Sequence, residues 1–163
     1  PDGTEDWFST VLGAYEYILD GVNVDVIELS PGKEFTPEGF DCEITCAAAA
    51  HSVPTLAYRV TAEDGEFVYS GDTEPCRDVM DLAVETDLLI HECSFPAGTK
   101  VTNHTTPVTL AEMLEEYNME IGSICLTHFY PEMRGHEREA VHRLKGYGDG
   151  EIILAEDLMR LEL

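Results

Sequence analysis

Four apolar runs in this chain each end on a residue that can bind a metal ion or transfer a proton. Residues 44–50 lead to His51, 67–71 to Asp72, 88–90 to His91, and 123–127 to His128. A buried strand that ends on such a residue marks the rim of a β-sheet, and in α/β proteins ligands bind outside the strand ends. The pattern therefore predicts a sheet with polar side chains collected along its edge.

Hydrophobic periodicity predicts an α/β domain. Helices are expected over residues 4–19, 77–84, 107–117 and 135–145. Strands are expected over residues 22–29, 42–50, 55–61, 66–70, 87–91, 123–127, 151–154 and 158–163. This order is an antiparallel meander followed by βαβαβ. It predicts a mixed β-sheet covered by helices on one face, whose other face needs a partner layer.

Composition places the chain among globular proteins of one domain. It has 163 residues, 44% of them hydrophobic, and no run approaches the roughly 20 apolar residues that span a bilayer. We therefore expect no membrane association. Its five cysteines are odd in number and lack a C-x-x-C pair, which disfavours a disulfide framework and favours a reducing cytoplasm. The start at Pro-Asp-Gly, without Met, suggests part of a longer gene product.

The net charge is strongly negative. Thirty-three Asp and Glu face nine Lys and Arg, which gives a net charge of −24. Such a surface repels nucleic acid and anionic lipid at ordinary salt. Either the protein avoids polyanions, or it works in a salt-rich cytoplasm that screens its field. Because the acidic residues occur in every segment and form no single tail, salt adaptation is favoured.

Each polar residue also has a simpler interpretation when it is taken alone. His51 at a strand end is more often a hydrogen-bonded residue than a ligand. Asp72 is equally suited to capping the helix that follows or to entering a metal cleft. His91 and Glu92 are suited to orienting other side chains, and His104 to an exposed loop. His136 and His142, which lie among charged residues, are expected to be solvated.

Together these residues form a more specific pattern than any one of them. Imidazole and carboxylate groups from separate strand ends are ligands that Zn²⁺ accepts. One carboxylate flanked by histidines also suits a pair of metal ions about 3.5–4 Å apart.

Five segments, in order, resemble the metallo-β-lactamase superfamily. They are HSVPTLAYR at 51–59, YSGDTEPC at 69–76, DLLIHECSF at 87–95, NHTT at 103–106 and LTHF at 126–129. The branch that they resemble is that of RNase Z, the tRNA 3′-end processing enzyme, and its relatives. The resemblance covers the chain from about residue 42 onward.

The resemblance implies roles for individual residues. His51 would be a ligand of one metal ion, Asp72 the bridging carboxylate that also serves catalysis, and His128 a ligand of the second ion. His104 would help to protonate the leaving group, and His91 with Glu92 would form a supporting pair. Two Zn²⁺ ions are expected in the complete site, with Mn²⁺ as the alternative. The implied chemistry is hydrolysis, often of a phosphodiester, by a metal-activated hydroxide.

One family motif is missing from this chain. His-x-His-x-Asp-His, which supplies the remaining ligands, does not occur in it. The chain is therefore expected to be the C-terminal half of an αββα sandwich, a single partial domain over 1–163. Residues 1–41 would form a connecting helix and strand, and residues 42–163 the half that carries the motifs. No basic arm for gripping tRNA is present either.

Three functions follow from these expectations. The first is a metal-dependent hydrolase, an RNase Z-like phosphodiesterase or tRNA 3′-processing endonuclease, inactive without its N-terminal half. The second is a non-catalytic half-domain that forms a homodimer or pairs with another chain. The third is a hydrolase of small phosphodiesters or lactones. The first is favoured because all three ligand positions that the resemblance implies are intact.

Overall fold

Seven strands and four α-helices make up the computed structural model, which describes residues 1–15, 17 and 21–163. The helices are α1 (Thr4–Ala14), α2 (Arg77–Ala83), α3 (Pro107–Tyr117) and α4 (Glu137–Leu144). The strands are β1 (Glu34–Phe35), β2 (Cys42–Ala49), β3 (Thr55–Ala62), β4 (Gly65–Tyr69), β5 (Leu88–Glu92), β6 (Ser123–Thr127) and β7 (Ile152–Leu154). A short 3₁₀ helix covers Pro131–Met133.

The strands lie in the sheet in the same order as in the sequence, from β1 to β7. The pairs from β1 to β4 are antiparallel, and the pairs from β4 to β7 are parallel. The predicted mixed sheet, an antiparallel meander followed by parallel crossovers, is confirmed. Two reversals of direction leave β2 parallel to β4, β5 and β6, so these four strands end at the same edge of the sheet.

The core lies between the sheet and helices α2, α3 and α4. Val68, Leu89 and Ile124 are aligned across β4, β5 and β6 and are fully buried. Leu110 and Leu114 extend from one stripe of α3 into the same cluster. Because these residues share one face of the sheet, the predicted helical layer on a single face is confirmed.

The opposite face of the sheet is also apolar. Tyr58, Tyr69, Ile90, Cys125 and Ile153 are aligned across five neighbouring strands on this face. Tyr69 keeps 41% of its surface exposed, and α1 buries none of its residues. We call this surface the open face; its composition is that of a sheet side that packs against a second layer.

Two predicted strands are wrong. Residues 22–29 are in irregular structure, and within the described part of the chain they join no ladder, so Val22, Val24 and Ile27 stay exposed. Residues 158–163 do not form a strand, since Leu158 has a φ of 66° and is 98% exposed. The two-residue β1, which pairs with β2, was not predicted.

The first helix is shorter than predicted. The expected helix over residues 4–19 ends at Ala14, and Ile18 and Leu19 lie outside the described residues. Among the helices that are described, none combines the length and apolarity that crossing a bilayer would require. All five cysteines are unpaired, as expected from their number and spacing.

Candidate active site

The four parallel strands deliver polar residues to one edge of the sheet. His51 lies just beyond β2, Asp72 just beyond β4 and His128 immediately after β6. Glu92 is the last residue of β5. Because these strand ends share an edge, residues far apart in sequence come into contact there. Of the four predicted strand-end residues, the structure thus brings together His51, Asp72 and His128, and it leaves His91 apart.

Glu92 organises this edge as a buried carboxylate. Its side chain is 1% exposed, yet each oxygen accepts two hydrogen bonds. Oε1 accepts from the Thr73 amide at 2.7 Å and from His104 Nδ1 at 2.9 Å. Oε2 accepts from the Ser94 hydroxyl at 2.6 Å and the Thr105 amide at 3.0 Å. These four hydrogen bonds compensate for the burial of the charge. The bond to Nδ1 also orients the His104 ring and leaves its Nε2 without a contact to Glu92.

His128 is oriented by the same carboxylate through one intervening hydroxyl. The Ser94 hydroxyl gives its proton to Glu92, so its oxygen accepts from His128 Nδ1 at 2.8 Å. Nε2 of His128 is left facing Asp72, with 3.6 Å between Nε2 and Oδ1. His128 has a φ of 58°, a left-handed conformation that costs about 1–3 kcal/mol in a non-glycine residue. Strain of this kind is typical of functional sites.

His51 is oriented by a backbone carbonyl. Its Nδ1 donates to the Asn103 oxygen at 2.7 Å, and the Asn103 amide in turn donates to Glu74 at 2.6 Å. Its ring lies 5.2 Å from that of His104. In all three imidazoles, therefore, Nδ1 carries the proton and Nε2 is left as the ligand or reacting nitrogen. This is the arrangement that second hydrogen bonds impose on metal-binding histidines.

Asp72 is presented by a tight turn that requires glycine. Gly71 has a φ of 62°, and a Cβ there would lie 3.0 Å from the Leu56 carbonyl oxygen. This close approach directs the chain from β4 to Asp72, whose side chain is 40% exposed.

The donor set fits a divalent metal ion of the zinc type. Two ligands of one tetrahedral Zn²⁺, each about 2.0–2.1 Å away, are roughly 3.3 Å apart. The separation of 3.6 Å between His128 Nε2 and Asp72 Oδ1 is close to that value. Glu92, His104 and His128 also place ligand atoms within 4.8 Å of one another. We assign Glu92 an orienting role instead, because four donors already occupy its oxygens.

His91 lies apart from this cluster. Successive residues of a strand point to opposite faces, so His91 and Glu92 project in opposite directions from β5. The His91 ring is fully buried and its Nδ1 donates to the Glu92 carbonyl oxygen at 2.7 Å, while its Nε2 has no hydrogen-bond partner. Burial lowers the pKa of His91, so the ring is neutral. Any support that it gives to the site passes through the backbone.

Two residues of the site were missed by the sequence analysis. Ser94 follows Glu92 by two positions and links it to His128. Tyr130 follows His128 by two positions, and its ring lies 5.3 Å from the rings of both His104 and His128. Only the proximity of these residues to the predicted ligands in sequence could have indicated them, since neither residue type is specific for a metal site.

The chain matches known proteins over most of its length. It matches the family described as a beta-lactamase superfamily domain over residues 1–129. It is 37% identical to a ribonuclease Z from Brevibacillus brevis over 80% of this chain, which spans 57% of that relative. A structure of human tRNase Z, short form, is 18% identical with a TM-score of 0.64 and covers 98% of this chain and 64% of its own.

A second structure has a different described activity. A diphosphatase from the PhnP family is 18% identical with a TM-score of 0.69, and covers 99% of this chain and 56% of its own. At such identities the structural likeness establishes the fold alone. The matches to this chain cover 56% to 64% of the lengths of these three proteins.

Proposed function

Since the chain belongs to the metallo-β-lactamase superfamily, we propose that it is the motif-bearing half of a metal-dependent phosphodiesterase of the RNase Z type. One observation carries the proposal. Three imidazoles have Nδ1 bound to an acceptor and Nε2 left over, at the same edge as an exposed carboxylate. A set of solvated histidines would not share this orientation.

We propose that His51, Asp72 and His128 would hold the metal, which would be Zn²⁺, with two ions expected in the complete site, or Mn²⁺ as the alternative. When bound, the ions would supply Lewis acidity at the phosphoryl oxygens and lower the pKa of water. Three protein ligands are too few for two closed sites. The remaining ligands are proposed to come from an N-terminal half, without which this chain is inactive.

His104 is proposed as the general acid. Its Nδ1 donates to Glu92 at 2.9 Å, which orients the ring and directs Nε2 toward the substrate. Water supplies the oxygen that bonds to phosphorus and loses one proton to solvent. The bond to the leaving oxygen breaks with its electron pair on that oxygen, which takes the proton from His104 Nε2. Solvent then reprotonates His104.

The open face is the proposed binding surface for the N-terminal half. It aligns Tyr58, Ile90 and Ile153 with their neighbours as one apolar layer, which is the inner side of a sandwich. Residues 42–163 would form the motif-bearing half and residues 1–41 the connection. The same face would mediate pairing with a second copy, as a homodimer, if the N-terminal half were absent.

Two substrate classes remain within this proposal. A tRNA precursor is the substrate that the names of the relatives suggest. A net charge of −24 favours small phosphodiesters instead, unless salt screens the surface, as it would in a salt-rich cytoplasm. The cytoplasm is also the proposed location, because all five cysteines are unpaired.

The test uses the full-length gene product loaded with Zn²⁺. It is assayed on precursor tRNA and on bis(p-nitrophenyl) phosphate from about 0.1 to 2 M KCl. We expect hydrolysis that EDTA abolishes, that Zn²⁺ restores, and that Asp72→Ala or His128→Ala lowers at least a hundredfold. His142→Ala, on the exposed side of α4, is the matched control and should retain activity.

Two results would contradict the proposal. Failure to hydrolyse any phosphodiester with metal bound would rule out the phosphodiesterase. Stoichiometric Zn²⁺ in residues 1–163 alone would show that the N-terminal half is not needed to complete the metal site.

A further inference from the structure

Tyr130 is held more firmly than an ordinary surface tyrosine. Its amide donates to the Ser94 carbonyl at 3.1 Å, and its own carbonyl accepts from the Met133 amide at 2.9 Å. It precedes Pro131, which restricts it to extended conformations, and its φ and ψ are −77° and 161°. Met133 anchors the following 3₁₀ turn in the core. The backbone therefore fixes where the Tyr130 side chain begins.

The Tyr130 ring lies against the proposed acid and the proposed ligand together. Its centroid is 5.3 Å from those of His104 and His128 and 4.7 Å from that of Phe95. The ring nevertheless keeps a substantial exposed surface, 36% for the residue. A rigidly placed and exposed aromatic ring at this position forms one wall of the site.

The Tyr130 hydroxyl points to the reacting nitrogen of His104. The distance from Tyr130 Oη to His104 Nε2 is 3.4 Å. Since Nδ1 of His104 is engaged by Glu92, Nε2 is the atom that would give a proton to the leaving oxygen. A separation of 3.4 Å is longer than a well-formed hydrogen bond, so an incoming oxygen can replace this contact at little cost.

We propose that Tyr130 is a further catalytic residue that contacts the leaving group. Its hydroxyl donates a hydrogen bond to the leaving oxygen while His104 Nε2 transfers its proton to that oxygen. The phenol keeps its own proton throughout, so the proton and electron balance is that of the hydrolysis described above. Its ring and that of Phe95 line the side on which the leaving group departs. This inference rests on the proposed phosphodiesterase function.

The inference predicts a dependence on the basicity of the leaving group. A hydrogen bond to the leaving oxygen matters most when negative charge builds up strongly on that oxygen. It matters little for p-nitrophenolate, which is a stable anion and departs without help. Structural damage at Tyr130 would instead lower the rates of hydrolysis by the same factor for esters with good and with poor leaving groups.

The experiment compares Tyr130→Phe with wild-type full-length enzyme on methyl aryl phosphates from p-nitrophenyl to p-methoxyphenyl. We expect kcat to fall about tenfold for the p-methoxyphenyl ester, with less than a twofold change for the p-nitrophenyl ester. Tyr117→Phe removes a hydroxyl from α3 while keeping the ring that faces Arg77, and should match wild type on both esters.

The outcomes separate the two proposals. If wild type hydrolyses the esters and Tyr130→Phe is unchanged, or loses activity equally on all of them, the role of Tyr130 is wrong and the phosphodiesterase stands. If metal-bound wild type hydrolyses neither these esters nor precursor tRNA, the phosphodiesterase fails and the role of Tyr130 fails with it. If it cleaves precursor tRNA but none of the esters, the phosphodiesterase stands and Tyr130→Phe must slow the cleavage of precursor tRNA, or the role of Tyr130 is wrong.

Discussion

Glu92 is a carboxylate with almost no access to solvent, and hydrogen bonds alone make this tolerable. Two backbone amides, one hydroxyl and one imidazole donate to its oxygens. Such charge-assisted bonds are roughly twice as strong as neutral ones, and they offset the desolvation of the charge. A single side chain thereby sets the orientation of both His104 and His128.

Replacing Glu92 with Gln should destabilise the protein. The amide group of Gln would face two donors, so at least one amide or hydroxyl would lose its acceptor while buried. We expect the free energy of unfolding to fall by about 2–4 kcal/mol, as measured by urea denaturation of residues 1–163. Glu112→Gln, at an exposed position on α3, is the control and should change it by no more than about 0.5 kcal/mol. An equal effect of both substitutions would contradict the role of Glu92.

Stability should also depend on pH through His91. Burial lowers the pKa of His91 in the folded state below that of the unfolded chain, about 6.5. Above the unfolded pKa the ring is neutral in both states, so His91 does not affect the free energy of unfolding. As pH falls below that pKa, the unfolded chain binds a proton that the folded protein excludes, and the free energy of unfolding decreases.

Urea unfolding between pH 7.5 and pH 5 measures this dependence. We expect His91→Leu to have a weaker loss of stability over this range than wild type, whatever its stability at pH 7.5. His142→Asn, at an exposed position of α4, should keep the wild-type profile. A His91→Leu profile parallel to that of wild type would contradict the assignment.

For individual residues, the sequence predicted where in the sheet they lie better than which side chains they contact. The ends of apolar runs located His51, Asp72 and His128 at one sheet edge, because strand direction follows from connectivity. His91 and Glu92 were grouped as a pair, yet the alternation of β5 separates them to opposite faces. Which oxygen accepts from which imidazole depends on side-chain rotamers, and these do not follow from sequence spacing.

At the scale of elements, Gly122 lies immediately before β6 and packs against the backbone of Asp87, the residue before β5. A Cβ on Gly122 would clash with the carbonyl oxygen of Asp87, and the Gly122 amide donates to the Thr86 carbonyl oxygen at 2.9 Å. Two backbones that meet in this way leave no room for any side chain. The glycine thus fixes where the two parallel strands begin to pair.

Gly122→Ala should therefore separate the starts of β5 and β6. We expect it to reduce the free energy of unfolding by about 1–3 kcal/mol, measured by urea denaturation, because backbone atoms must move to admit the methyl group. Gly98→Ala adds the same methyl group where no atom lies within 4 Å and should be nearly neutral. If Gly122→Ala left the free energy of unfolding unchanged, the starts of β5 and β6 would be able to move apart without loss of stability, and this account would be wrong.

Element predictions succeeded where a segment had both a pattern and a partner. β2 to β6 and α3 were predicted to within about two residues, and α3 begins at a capping box formed by Thr106 and Thr109. Residues 22–29 have the alternation of a strand, but a strand needs a ladder that its own sequence does not encode. The two residues of β1 are too short for any periodicity to be detected.

At the scale of the whole molecule, the net negative charge produces self-repulsion. Thirty-three acidic and nine basic residues give a net charge of −24, and like charges that are brought together by folding oppose the compact state. Salt reduces this repulsion, since the screening length falls from about 10 Å at 0.1 M to about 3 Å at 1 M.

The melting temperature should therefore rise with salt. We expect an increase of several degrees between about 0.1 and 1 M KCl, measured by circular dichroism. A variant with Glu112, Glu115 and Glu116 of α3 changed to Gln should show a smaller increase, because part of the repulsion is already removed. A melting temperature that is independent of salt, or an undiminished increase in the variant, would contradict this account.

The fold class was also within reach of the sequence, because the order of strand and helix patterns predicts a mixed sheet with helices on one face, as observed. The binding partner of the open face could not be predicted from the sequence. Its apolar residues predict that a second layer packs there, but a layer from the same gene product and one from another chain satisfy the same surface.

The shared direction of β2, β4, β5 and β6 has a consequence for the order of events during synthesis. His51 and Asp72 leave the ribosome well before His128, and β6 pairs with β5, which must already lie against β4. The complete cluster therefore cannot form until the chain has been synthesised through His128 and β6 has paired with β5.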